Sequence, residues 1–178
     1  MSGLKRTVAL VGMMGAGKSS VGRRLAARLG VEFRDADAEI EQAAGCTINE
    51  IFSRFGEPAF RDGERKVIAR LLTLPPHVLA TGGGAFADDE TRERIKSEAA
   101  SVWIKVPLDV LISRVGRRDT RPMLKEGDPA EIMERLLKQR EPLYAQADLT
   151  VNSEDGPHKM AVEQIVTMLE ERHLLEPA

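Results

Sequence analysis

The sequence predicts an α/β domain in three layers, with helices on both sides of a mostly parallel five-stranded sheet. Two observations predict it. Short apolar, β-branched runs alternate with longer stretches of helical periodicity along the whole chain. The first of these runs leads through a glycine-rich turn straight into a helix, the opening unit of a parallel sheet with crossover helices. The five strands are expected at 7–11, 32–35, 77–81, 101–106 and 148–151. The length, 178 residues, fits one domain with a real core. No repeat, low-complexity segment or linker divides it.

The glycine-rich turn is Gly12-Met13-Met14-Gly15-Ala16-Gly17-Lys18-Ser19, between an apolar strand and a helix that carries Val21, Leu25 and Leu29 at helical spacing. Strand, turn and helix give this Walker A pattern its meaning. Glycines let the loop wrap closely, so that backbone N–H groups point at phosphate oxygens. The helix N-terminus adds partial positive charge beneath the same anion. Lys18 is placed to reach the terminal phosphates, and the Ser19 hydroxyl to ligate Mg²⁺. The stretch predicts a nucleoside triphosphate and leaves the phosphate acceptor open.

Gly30 is the expected C-cap of the first helix. Asp35 ends the second strand and Asp37 lies two residues on, so both project on one side at its carboxyl end, the edge where open parallel sheets bind ligands. They are either a helix cap (Asp37) beside a solvated loop residue, or a metal-holding and a proton-accepting pair. Thr47-Ile48-Asn49-Glu50 reads as a capping box opening a short helix with Ile48, Ile51, Phe52 and Phe55 on its apolar side, stopped by Gly56. The helix expected at 57–72 has Phe60, Val67, Ile68, Leu71 and Leu72 as its apolar residues, with Arg61 and Glu64 on a shared face. That pair is either a surface ion pair of small energy or a sign that Arg61 enters the crevice to bind an anion.

The third strand ends in Gly82-Gly83-Gly84. Either something approaches this backbone closely or the turn needs positive φ. Thr81 stands where many phosphate-loop proteins carry a metal-binding aspartate, which places more weight on Asp35. A short charged helix is expected at 88–96. Trp103, the only tryptophan, is assigned to packing. After a helix at 107–115 come Arg114, Arg117, Arg118 and Arg121 in eight positions broken by Gly116 and Pro122. This segment is a solvated basic loop or a lid that closes over the nucleotide and excludes water. Asp128-Pro129-Ala130-Glu131 signals the start of a helix with Ile132, Leu136 and Leu137 apolar. Arg140, at the end of that helix, either satisfies terminal carbonyls or enters the site. The final helix, 158–173, is expected to pack Met160, Ile165, Met168 and Leu169.

The net charge of −2 supplies no basic field to hold a nucleic-acid backbone. The single cysteine, Cys46, excludes an internal disulfide, fits a reducing compartment and is assigned to packing. No run approaches the roughly 20 apolar residues of a membrane span, and the apolar run before the phosphate loop is too short for a signal peptide. A cytoplasmic protein without membrane or nucleic-acid partners is expected, and nothing demands more than a monomer.

With these residues in place, the sequence resembles the shikimate kinase family, from the first strand to about Ile165. The resemblance rests on the Walker A loop, Asp35-Ala36-Asp37, Phe60-Arg61 with Glu64, Gly82-Gly83-Gly84, Arg121-Pro122-Met123-Leu124 and Arg140-Glu141-Pro142-Leu143-Tyr144, in that order. It implies the P-loop NTPase fold of nucleoside monophosphate kinases, with strand order 2-3-1-4-5. It implies transfer of the γ-phosphoryl group of ATP to the 3-hydroxyl of shikimate, on the route to chorismate and the aromatic amino acids. It also implies a single domain over 1–178, with substrate-binding helices at about 37–72 and a lid at about 114–127.

Residue by residue, the resemblance makes Gly15, Ala16, Gly17, Lys18, Ser19 and Ser20 the phosphate cradle. It puts Ser19 on Mg²⁺, with Asp35 reaching the metal through water. Asp37 bonds substrate hydroxyls and acts as base. Arg61 and Arg140 grip the shikimate carboxylate, and Gly83 contacts the substrate within the Gly82–Gly84 turn. Lys18 and Arg121 meet the transferred phosphate, Arg114 stacks on adenine, and Pro157 belongs to the adenine-side loop at 152–157. Met123 departs from the family's usual Leu, a volume-conserving change. Which of Arg117 and Arg118 touches ATP stays open. The alternatives are another small P-loop kinase, such as a gluconate kinase, and a nucleotide-binding regulatory module without catalysis. The first leaves the set Asp37, Arg61, Gly83 and Arg140 unexplained. The second is expected to have lost Lys18, Asp37 or a substrate arginine, and all are present.

Overall fold

The computed structural model describes residues 3–116, 127–154 and 156–177. Strand β1 (Val8–Val11) is buried along its whole length and lies in the middle of a sheet with β2 (Phe33–Asp35), β3 (Val78–Ala80), β4 (Ala100–Lys105) and β5 (Leu149–Asn152). The order is β2-β3-β1-β4-β5, and each of these pairings is parallel. A continuous apolar run such as Val8–Val11 is what a strand covered by helices on both faces requires.

Helices α1 (Lys18–Leu29), α2 (Ala36–Ala44), α3 (Ile48–Phe55), α4 (Glu57–Leu71), α5 (Asp89–Glu98), α6 (Leu108–Gly116), α7 (Pro129–Tyr144) and α8 (His158–Glu171) complete the α/β/α sandwich, with a 3-10 turn at Ala85–Ala87. Helix α1 packs on α8 and on β2 and β3, and α5 packs on β4 and on α4. Because the strands are parallel, their carboxyl ends all lie at the same edge of the sheet. The glycine loop after β1, Ala36-Asp37 after β2 and Thr81–Gly84 after β3 therefore become neighbours, though they lie far apart in sequence.

Most local signals act as expected. Gly30 ends α1 with φ 69° and donates to Ala26 and Ala27 carbonyls. Thr47 Oγ1 accepts from the Glu50 N–H at the start of α3, and Asp128 caps α7. The strands differ from their expected bounds by at most one residue at either end. Four details are corrected. The cap of α2 is Asp35, not Asp37: its carboxylate accepts from the Asp37 and Ala38 N–H groups, because the helix begins directly at the strand's end. Helix α7 does not end at Arg140 but runs through Pro142 to Tyr144. Pro142 has no N–H for the carbonyl four residues before it, that of Lys138, which is an exposed residue. Met160 is 69% exposed, since the buried stripe of α8 runs through Ala161, Ile165 and Leu169 at i+4 spacing. Phe55 is 65% exposed, at the last residue of α3. No helix among the described residues is long and apolar enough to cross a membrane.

His77, at the foot of β3, is buried. Its Nδ1 lies 2.8 Å from the Pro75 carbonyl and fixes the tautomer, and its Nε2 is buried without a hydrogen-bond partner. Burial lowers its pKa from the ordinary 6.5, against the smaller raising effect of the Pro75 carbonyl. On acidification the unfolded chain takes up this proton first. The stability contribution is therefore full above the free-imidazole range and is lost as pH falls below it. The drop in Tm between neutral and mildly acidic pH should shrink in His77→Gln, which carries no titrating group. An unchanged drop would remove His77 as its cause.

Candidate active site

The phosphate loop holds itself in shape before any ligand enters. Gly15 and Gly17 have φ of 82° and 91°, the left-handed region open to glycine. Lys18 is buried and folded back, its Nζ donating to the carbonyls of Gly12 (2.6 Å) and Met13 (3.0 Å). Ser19 Oγ donates to Asp35 Oδ2 at 2.7 Å, which ties the start of α1 to the end of β2. Asp35 thus holds the helix α2 cap with one oxygen and the Ser19 hydroxyl with the other. Thr81 donates its hydroxyl to the Leu10 carbonyl at 2.8 Å, locking the ends of β3 and β1 together.

Two clefts open here. The larger, of about 300 Å³, is lined by the loop from Gly15 to Ser20, by Asp35, Asp37 and Thr81, and by Arg114 and His158. The smaller, of about 60 Å³, is lined by Arg61, Glu64 and Arg140 opposite the apolar Met14, Ile48, Phe52 and Phe60. Asp37, Gly82 and Gly83 line both. The clefts therefore meet at a carboxylate and a glycine turn.

The glycines of that turn do not have positive φ. Close approach explains them instead. A Cβ on Gly82 would lie 2.8 Å from Asp37 Oδ1 and 3.4 Å from Glu64 Oε2. A Cβ on Gly84 would overlap the Arg61 guanidinium, 2.7 Å from its Cζ. A Cβ on Gly83 would stand 3.1 Å from the Met14 backbone N and 3.6 Å from Arg140 Nη1. The turn is bare because charged side chains from α2 and α4 and the backbone of the phosphate loop crowd it.

The Arg61–Glu64 pair is not a surface ion pair. Arg61 Nη1 donates to Glu64 Oε1 at 2.7 Å, with side chains 15% and 1% exposed, and the guanidinium sits over the Phe60 ring. Burial raises the Glu64 pKa, Arg61 opposes that shift, and the nearby Asp37 charge adds to it. Glu64 Oε2 is buried without a hydrogen bond and lies on the small cleft. Arg140 is also buried in this wall. On the opposite side of the large cleft, Arg114 donates to the carbonyls of Gly15 (3.0 Å) and Glu154 (3.3 Å), joining the phosphate loop to the segment after β5.

Thus Gly15 to Ser20, Asp35, Asp37, Arg61, the Gly82–Gly84 turn, Arg114 and Arg140 are brought to one place. Pro157 is exposed and is not among the lining residues; its neighbour His158 lines the large cleft instead. Arg117, Arg118, Arg121 and Met123 lie outside the described residues. Two titratable lining residues, Glu64 and His158, have no role assigned from the sequence. Glu64 did leave a signal, a charge inside the apolar stripe Phe60, Val67, Ile68 and Leu71 of α4. His158 left none, because only tertiary packing brings the start of α8 against Gly17.

Oxygen donors such as Ser19 and Asp35 suit a small hard cation held mainly by ligand phosphates. No group of three or more metal-ligating side chains exists among the described residues, so these offer no separate cage.

A family model described as shikimate kinase matches residues 14–170. The chain belongs to the shikimate kinase family. It is 63% identical over 150 residues to the shikimate kinase of Paramagnetospirillum magneticum, covering 84% of this chain and 77% of that one. A shikimate kinase from Acinetobacter baumannii, solved in complex with shikimate, superposes with a TM-score of 0.92 at 38% identity, over 95% of each chain. A gluconokinase from Sinorhizobium meliloti superposes with a TM-score of 0.60 at 18% identity over 95% of this chain and 94% of that one, a likeness of fold alone. As a shikimate kinase family member the chain is an ATP-using kinase of the P-loop fold.

Proposed function

We propose that the protein transfers the γ-phosphoryl group of ATP to the 3-hydroxyl of shikimate, with the large cleft taking the nucleotide and the small cleft the acid. The observation that carries this reading is the meeting of the two clefts at Asp37, Gly82 and Gly83. A donor phosphate in one cleft and an acceptor hydroxyl in the other would be neighbours there, and phosphoryl transfer depends mainly on such positioning.

The acceptor's chemistry fits the small cleft. A hydroxylated ring carboxylate asks for forked cations at one end, and Arg61 and Arg140 present planar guanidinium groups that bond carboxylate bidentately. Its hydroxyls ask for acceptors at the other end, where Asp37 stands. Its ring carbons match the apolar wall of Met14, Ile48, Phe52 and Phe60. Asp37 orients the attacking hydroxyl and takes its proton as the P–O bond forms. Lys18, with its backbone loop, cradles the phosphates. Ser19 and Asp35 would hold Mg²⁺, which when bound neutralises charge on the phosphate oxygens. Arg114 and Pro157 are assigned to the adenine side. Helices α2 to α4 form the acceptor-binding unit; Arg121 and most of the segment 114–127, expected from the sequence as a lid, lie outside the described residues.

Purified protein with Mg-ATP should release ADP with shikimate and not with gluconate or without an acceptor. Release with gluconate would overturn the acceptor assignment. Tight ATP binding without release in any mixture would favour a regulatory module.

Gly84→Ala tests the acceptor cleft without replacing a charged residue. Its backbone is in the ordinary helical region, so the fold should persist. The new methyl must push Arg61 from its place beside Glu64. The KM for shikimate should rise about tenfold, the loss of one charge-assisted bond, with the KM for ATP unchanged. Equal KM values in variant and parent would separate Gly84 from acceptor binding.

A further inference from the structure

We propose that Tyr144 is a positioning residue for the acceptor: its phenol oxygen holds the Arg140 guanidinium and the Gly83 carbonyl in one fixed relation. This rests on the small cleft being the shikimate site.

Tyr144 lies four residues after Arg140 on α7, so the two side chains share a helix face. Its side chain is fully buried, and its ring lies 5.8 Å from that of Trp103 on β4. The hydroxyl donates to the Gly83 carbonyl. The charge of the Arg140 guanidinium acts on the same phenol, and Arg140 Nη1 would stand 3.6 Å from a Cβ on Gly83. A phenol has one proton to give and lone pairs to accept with. Here the proton goes to the glycine turn, which leaves the lone pairs for the guanidinium. Burial raises the Tyr144 pKa, with Arg140 pulling the other way, so the group stays protonated and keeps donating.

The consequence is a three-part clamp. Helix α7 supplies Arg140, the turn after β3 supplies Gly83, and one oxygen sets the distance between them. Arg140 therefore has its guanidinium plane oriented before a carboxylate arrives. Such preorganisation reduces the ordering that binding must otherwise supply. Phenylalanine would fill the same space. It would leave the Gly83 carbonyl without its donor and Arg140 without its stop. The competing explanation is packing alone, a buried ring whose hydroxyl merely finds a partner.

Tyr144→Phe separates the two. The KM for shikimate should rise about threefold to tenfold, the range of one net hydrogen bond, while the KM for ATP stays at the parent value. A lower Tm with both KM values unchanged would overturn the proposal. A second measurement needs no substitution. Tyr144 is the only tyrosine in the chain, so biosynthetic labelling with 3-fluorotyrosine gives one fluorine NMR signal. That signal should shift when shikimate is added without nucleotide. A signal that stays fixed at saturating shikimate would also overturn the clamp. Shikimate-dependent ADP release by the parent protein, run beside both, keeps the failures apart. Release with a silent Tyr144 sinks the clamp alone, and no release sinks the acceptor reading together with it.

Discussion

Asp37→Asn should retain ATP binding and lose turnover by about 10²- to 10⁴-fold, the usual contribution of a positioned general base. The geometry makes the effect specific. Asp37 lies in the first turn of α2, two residues after Asp35, and the side-chain cap of the helix comes from Asp35 rather than from Asp37. Its Oδ1 sits against Gly82, where the two clefts join. The asparagine keeps the size and the ability to bond a hydroxyl, and removes the charge and the proton acceptor. Nucleotide affinity should hold, because the phosphate loop, Lys18 and the Ser19–Asp35 bond remain. Steady-state kinetics with an ATP-binding titration would check both halves. A variant with near-normal kcat would remove Asp37 from the chemistry, and one that loses ATP binding as well would make its role structural.

Arg61→Ala and Arg140→Ala should each raise the KM for shikimate by about tenfold to a hundredfold, since a hydrogen bond between charged partners contributes roughly 1.5–3 kcal/mol and about 1.4 kcal/mol is one decade. The two variants should differ in stability. Arg61 is the direct partner of Glu64, which is 1% exposed. Removing it leaves a buried carboxylate whose other oxygen already lacks a hydrogen bond. Breaking such a pair from one side costs roughly 3–5 kcal/mol when the charge stays, and Glu64, with a pKa already raised, would take up a proton to avoid it. Arg61→Ala should therefore lower Tm with a strong pH dependence, and Arg61→Ala with Glu64→Gln should recover part of the loss. No recovery in the double variant would show that the two side chains are not coupled. Unchanged KM values in both single variants would contradict the carboxylate assignment.

Much of the site is legible in the sequence because its parts sit in local patterns. The phosphate loop is contiguous, and its glycines, lysine and serine serve a loop that closes on itself. The acids after β2 and the glycines after β3 fall at the ligand edge from strand periodicity alone, because parallel strands share a carboxyl edge. Asp37, Arg61 and Arg140 stand out as candidates, yet each carries an equally good local explanation, a cap, a surface pair or a helix end. Local sequence cannot separate these, since burial is a property of what covers a residue. The structure separates them by covering Arg61 and Arg140 and by giving the cap to Asp35.

Short-range rules of glycine conformation, helix capping and hydrophobic period are enough to give the strand–turn–helix opening and the alternation behind a parallel sheet. They also pick out the residues able to hold phosphate and carboxylate. Three features come from the folded chain alone. The two clefts meet at Asp37. The Gly82–Gly84 turn is bare because neighbouring side chains and the Met14 backbone crowd it rather than for its own φ. His158 lines the large cleft, and Tyr144 reaches from α7 to the Gly83 carbonyl. Each of these depends on atoms from different elements coming into close contact, and such contacts between segments far apart in the chain leave no period or spacing in the sequence.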